Sequence, residues 1–151
     1  MIENIVRALI FRGEKDEILL ARQKGAEYTF LPGGHIEFGE TSKQALDREM
    51  IEEIGTEGFM GIPLFTIENL FTDANNKPCH EIATYFTYTF YKRFYTEPVV
   101  SAEDHLEMFW VHLDDLHHFN LKPQILSELI TGFAHGSETA HFVTEAESGS
   151  N

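Results

Sequence analysis

Apolar positions along this chain change period several times. Residues 5–11, Ile-Val-Arg-Ala-Leu-Ile-Phe, are apolar almost without a break. That run predicts a strand buried on at least one face, with Arg7 as its odd member. A polar turn containing Gly13 follows, and residues 17–23 predict a second strand that forms a hairpin with the first. Residues 24–28 connect to a short extended piece at 30–32. From Thr41 the pattern becomes helical. Thr41 and Gln44 have the form of a capping box, which starts a helix near Ser42. Gly55 supplies its stop. Leu46, Met50 and Ile54 lie at i, i+4 and i+8, an apolar line that seats this helix on a core.

Beyond Gly55, residues 59–71 predict a long strand interrupted at Pro63. Asp73-Ala74-Asn75-Asn76-Lys77-Pro78 is a turn signal, and residues 80–91 form a β-branched and aromatic strand, so 59–91 should be a long antiparallel hairpin. An acidic loop at 101–104 leads to a strand at 105–112 containing Trp110. A helical turn at 113–116 and a helix over 122–133, with Pro123 near its start, complete the pattern. Residues 145–151 are rich in Ser, Gly and Glu and are expected to fray, leaving one domain over 1–144.

A chain of 151 residues with 42% apolar side chains and 13 Phe has enough material for one core. Its formal charge of −14 opposes binding to nucleic-acid backbones, but it does not oppose a nucleotide substrate if a divalent metal reverses the local sign. A single cysteine, Cys79, fits a reducing compartment. No apolar run reaches membrane-spanning length, and no signal pattern is visible at the start. The expectation is a cytoplasmic protein with no membrane partner.

Glu49, Glu52 and Glu53 stand at i, i+3 and i+4, so three carboxylates share one helix face. A solvated acidic face is the plain alternative. A hard divalent cation with oxygen ligands gives the cluster a purpose. Just before it, Leu31-Pro32-Gly33-Gly34 is a loop whose backbone can approach a ligand closely.

Taken together, Gly34, Glu40, Arg48, Glu49, Met50, Glu52, Glu53 and Gly55 resemble the Nudix box, Gly-x5-Glu-x7-Arg-Glu-aliphatic-x-Glu-Glu-x-Gly-aliphatic. Only Thr56 departs, at the last aliphatic position. The resemblance implies an α+β Nudix fold, a mixed β-sheet sandwiched between helices. It also implies metal-dependent hydrolysis of a diphosphate bond in a nucleoside diphosphate linked to X. In such chemistry metal neutralises phosphate oxygens and activates the attacking water. By the same resemblance Glu49, Glu52, Glu53 and the carbonyl of Gly33 are metal ligands, with Mg²⁺ expected and Mn²⁺ able to substitute. Glu53, Glu49 and Arg48 fall at catalytic positions of the box, while Glu40 and Arg48 support the carboxylates.

A glutamate on a later loop supplies the base in many relatives. Glu103 fits that place best, with Asp104 and Glu107 as rivals and solvated loop charge as the plain alternative. Arg22, Gly34, Glu81 and Arg7 are candidates for substrate contact. Glu68 and Glu81, with Asn69 and His80 nearby, face one another across the turn at 73–78. They either line the cleft or form a cross-strand polar pair. Tyr28, Phe30, Phe71 and Tyr85 are candidates to stack on a base, or else core. Signatures of coenzyme-A-, ADP-ribose- and dinucleoside-polyphosphate-cleaving relatives are absent, which lowers those options without eliminating them and keeps a nucleoside triphosphate or a nucleotide sugar open. The competing reading is an inactive Nudix-fold nucleotide-binding or regulatory module, opposed by the intact carboxylates. The Phe-rich hairpin at 59–91 offers a surface for a homodimer.

Overall fold

The computed structural model describes residues 1–138 and 140–147. The first apolar run becomes β1 (Ile2–Leu9), but it does not form the expected hairpin with the second. The chain crosses at fully buried Ile10 into a different sheet, where β2 (Phe11–Arg12) pairs with β3 (Glu17–Gln23). The Ile10 carbonyl accepts from the Leu19 N–H at 3.0 Å across the crossing. Because β1 is covered on both faces, its residues carry no alternation that would mark the switch. The next strand, β4 (Gly33–His35), is the glycine segment itself, held antiparallel to β1 with Arg7 opposite Gly33.

The helix α1 (Ser42–Ile54) has the boundaries its caps dictate. The Thr41 side chain accepts from the Gln44 N–H at 3.1 Å, and the Gln44 side chain accepts from the Thr41 N–H at 2.9 Å. Gly55 closes the helix at φ 93°, a left-handed conformation suited to glycine. Leu46 and Met50 are fully buried and Ile54 partly, packed with Val6, Ala8 and Tyr88. Burial of such a side chain contributes roughly 1.5–3 kcal/mol.

The long hairpin is formed by β5 (Phe59–Thr72) and β6 (Pro78–Thr89). Pro63 shifts the register rather than ending the strand. Asp73 closes the turn by accepting from the Asn75 and Lys77 N–H groups, both at 2.9 Å. Two strands and a helix follow: β7 (Leu106–His112), α2 (Leu126–Ala134) and β8 (Phe142–Ala146). Between β7 and α2 the residues Leu113–His118 form a 3-10 helix.

Among the described residues the strands form a five-stranded sheet, β4-β1-β6-β5-β8, and a three-stranded sheet, β2-β3-β7. The pairs β1–β6 and β5–β8 are parallel and the rest antiparallel. One core gathers around α1 and the other around α2, so a mixed sheet and an antiparallel sheet lie between helices.

The frayed segment expected from Glu145 meets a strand instead. β8 is held by its backbone ladder against β5, from Thr66 opposite Phe142 to Leu70 opposite Ala146, and only Val143 packs on the core. Such a strand leaves little apolar pattern to read. Residues 148–151 lie outside the described residues. α2 also begins later than expected, and two amides just ahead of it are met by a side chain from β8. The Glu145 carboxylate accepts from the Gln124 N–H at 3.0 Å and the Ile125 N–H at 2.7 Å. Among the described residues no helix is long and apolar enough to cross a membrane.

Candidate active site

A cleft of about 1170 Å³ opens between α1, the strand β4, the five-stranded sheet and the approach to α2. Its acidic end is built from α1. Glu53 faces inward at the helix C-terminus and is only 6% exposed. Its Oε2 accepts from the Gly33 N–H at 2.9 Å. Burial pushes its pKa up to about 8, and the charges of Glu49 and Glu103 act in the same direction. Arg7 and the Gly33 bond oppose them. Glu49, one turn earlier, is also raised by burial, against the pull of Arg48.

The two glycines of β4 have separate physical reasons. Gly33 has φ +143°, and a Cβ there would come within 2.1 Å of the Val6 carbonyl oxygen on β1. A Cβ on Gly34 would come within 2.4 Å of Glu49 Oε1. The first glycine lets β4 lie against β1, and the second leaves room for a site carboxylate.

Arg48 stands behind this end and does not line the cleft. Its guanidinium donates to both Glu40 oxygens at 2.7 and 3.0 Å, to Glu49 Oε1 at 3.0 Å and to the His35 carbonyl at 2.9 Å. The same bonds draw the Glu40 carboxyl down to about 2. Arg48 is therefore a buttress that ties the loop at Glu40 to α1, rather than a group facing the reaction. Glu52 is half-exposed and leans toward Arg48 at 3.4 Å, outside the cleft lining.

The later loop is fastened to the same helix end. The Glu53 carbonyl accepts from the Ala102 N–H at 2.8 Å and from the Ser101 hydroxyl at 3.1 Å. Ser101 Oγ in turn accepts from the Glu103 N–H at 3.1 Å. This bracket puts Glu103 on the cleft wall, close enough for its charge to act on Glu53. Of the rivals, Glu107 is tied to Arg22 at 2.7 Å, and neither Glu107 nor Asp104 lines the cleft. Ser101 was not singled out from sequence, since one serine in a loop carries no signal.

Arg22 is not where the sequence placed it. It pairs with Glu107 across β3 and β7 and stacks over Phe109 at 4.9 Å, while the adjacent Gln23 faces the cleft. One step along a strand reverses the face. Arg7 does line the cleft, donating to the Leu31 carbonyl at 3.1 Å and lying over Phe30 at 5.5 Å. Lys122 and Gln124 join it from the approach to α2, and no local pattern marked them.

Glu81 lines the cleft and Glu68 does not. Glu68 points to the opposite face of the sheet, where it meets His80 Nε2 at 2.9 Å and accepts from the Thr144 hydroxyl at 3.2 Å. It is a cross-strand polar contact. Tyr85 is buried in the core and borders the cleft from beneath, and Tyr28, Phe30 and Phe71 also line it.

The donor set suits a hard divalent cation in kind: buried and half-buried carboxylates that repel one another, beside backbone oxygens. Among the described residues no three such side chains are already drawn together closely enough to hold an ion, since Arg48 engages Glu49 and Glu52.

A sequence model of the NUDIX domain matches residues 2–131. The chain belongs to the Nudix family. No curated protein matches it. Among solved structures, a MutT protein from Methanosarcina mazei is 24% identical over 91% of this chain and 96% of its own, with a TM-score of 0.69. A MutT protein from Bacillus halodurans is 15% identical over 95% of this chain and 89% of its own, at 0.67. A MutT Nudix hydrolase from Burkholderia pseudomallei is 25% identical over 77% of this chain and 87% of its own, at 0.59. This Nudix chain is accordingly a pyrophosphohydrolase, in a family that acts on small nucleotide molecules and generally uses divalent metal ions.

Proposed function

We propose that this Nudix enzyme cleaves the diphosphate bond of a nucleoside triphosphate or a nucleotide sugar, with Mg²⁺ as its metal and Mn²⁺ able to replace it. One observation carries the reading. Glu53, buried and raised to about 8, shares the end of a large cleft with Glu49 and Glu103, and Arg7 is its counter-charge. Glu49, Glu53 and the Gly33 carbonyl would hold the metal, with Glu52 as the outer member of the set. When bound, the metal neutralises phosphate oxygens and makes a water more acidic. The chain supplies the rest. Arg7 binds phosphate oxygens. The Gly33 N–H fixes the Glu53 carboxylate, and Arg48 fixes Glu49. Glu103 takes the proton of the attacking water.

The test is release of phosphate, pyrophosphate or monophosphate from nucleoside triphosphates, nucleotide sugars, ADP-ribose and dinucleoside polyphosphates, with and without Mg²⁺. Metal-dependent turnover of one of the first two classes is expected. Turnover confined to the others would refute the substrate assignment. Glu53→Gln should lower turnover by at least about 100-fold with an unchanged circular dichroism spectrum. Glu103→Gln should lower it by a comparable factor.

The charge of −14 argues against stable nucleic-acid binding, and the lone cysteine fits the cytoplasm. Phe59, Ile62 and Tyr91 are exposed near one end of the long hairpin and suit a homodimer contact. A monomer mass by light scattering at micromolar concentration would exclude that dimer.

A further inference from the structure

We infer that Glu81 and Asn69 read the nucleobase, and that they select a base bearing an exocyclic amino group over one bearing only carbonyls. This rests on the nucleotide reading above and names the chemistry at the far end of the same cleft. Asn69 and Glu81 are direct cross-strand partners on β5 and β6, so their side chains stand side by side on the cleft floor. Glu3 on β1 lies opposite Glu81 in the same row.

The row's position matters. Gly33, which holds Glu53, lies opposite Arg7, and Arg7 lies opposite Tyr85. Glu81 is four residues before Tyr85 on β6, about 13 Å along the strand at ~3.3 Å per residue. With the phosphates at Arg7 and Glu53, that is the reach of a nucleoside. Phe71, two residues past Asn69 on the same face, and Tyr28 also line the cleft and give a base its apolar walls.

The chemistry of the floor then decides the ligand. Glu81 is half-buried, and its carboxyl is raised by burial, with Glu3 acting the same way and Arg7 and His35 opposing. Two carboxylates in one row, Glu3 and Glu81, make this end of the cleft less suited to phosphate than the end at Arg7. An ionised carboxylate accepts hydrogen bonds and donates none. The amino groups of cytosine, adenine and guanine satisfy it. A carbonyl in the same place leaves two acceptors facing each other in a partly desolvated site. Asn69 has both a donor and an acceptor and meets the neighbouring ring atom in either case. A site placed to bond the exocyclic amino group, rather than a ring N–H, discriminates strongly against the analogue that lacks that group.

Titration calorimetry with nucleoside monophosphates tests this without requiring turnover. The probes are CMP against UMP and GMP against IMP, each pair contrasting an amino-bearing base with one that lacks it. The wild-type protein should bind the amino-bearing member at least about tenfold more tightly in one or both pairs. Glu81→Gln adds a donor at the same volume, and the preference should collapse to less than about threefold, with UMP gaining affinity. Equal binding within both pairs, or a preference that survives Glu81→Gln, overturns the assignment. CTP and UTP hydrolysis measured alongside separates the two readings. Turnover without base preference refutes only the base reader. Absence of both binding and turnover refutes the nucleotide reading with it. A thermal midpoint within a few degrees of wild type shows that the variant is folded.

Discussion

Glu53 keeps its proton in the metal-free protein until the pH nears about 8, against an ordinary value of 4.5. A carboxyl raised on folding contributes its stability in full below the unfolded value, and the contribution is lost as pH rises through the folded one. Metal-free protein should therefore weaken between about pH 4.5 and 8, by an amount on the order of a few kcal/mol. Urea midpoints in EDTA at pH 5 to 9 check this against Glu53→Gln, which has no such proton to lose. The gap between the two proteins should move in favour of the variant as pH rises. A gap that stays constant would mean that Glu53 ionises normally. Gly34→Ala acts at the same scale. Its methyl group displaces the Glu49 carboxylate, so turnover should fall about tenfold or more and the Mg²⁺ requirement should rise, while the thermal midpoint moves little. Sequence could name Glu49 and Glu53 because helical spacing is local. It could not separate Arg7 from Arg22, two cations on apolar strands, because the face each presents depends on which sheet the strand joins. Nor could it choose among Glu103, Asp104 and Glu107 without seeing Ser101 bracket the loop to α1.

At the scale of elements, legibility follows the range of the interactions. The limits of α1 were readable because Thr41, Gln44 and Gly55 settle them within a few residues. The division of the first apolar run at Ile10 was not, since two layers cover it. Nor was β8, whose attachment is a backbone ladder to a strand more than seventy residues earlier. Two substitutions separate these cases. Thr41→Ala removes a local cap and should cost about 1 kcal/mol without touching the cleft. Glu145→Ala removes the carboxylate that meets the Gln124 and Ile125 amides. It should cost about 1–2 kcal/mol and speed hydrogen exchange at those two amides, while also loosening the cleft edge at Lys122. Unchanged exchange there would show that β8 does not hold the start of α2.

The whole molecule carries a formal charge of −14, and the substrate proposed for it is anionic. Repulsion at long range slows encounter, and salt screens it. At saturating metal, kcat/KM for a nucleotide should rise by a few-fold as sodium chloride increases from about 10 to 150 mM, with kcat almost constant. A fall would show that local attraction at Arg7 and Lys122 outweighs the global field. The fold places those cations at the cleft, and net charge alone does not locate them.

The cleft draws residues from both ends of the described chain, Arg7 in the first strand and Glu145 to Glu147 at the last. Its wall cannot close on a ribosome until Glu147 has emerged. Until then β5 presents a bare edge over Thr66–Leu70, where β8 will later pair. An unpaired strand edge is a template for association with other chains. The nascent protein passes through a sticky interval just before it becomes competent, and a premature stop ahead of β8 would prolong that interval indefinitely.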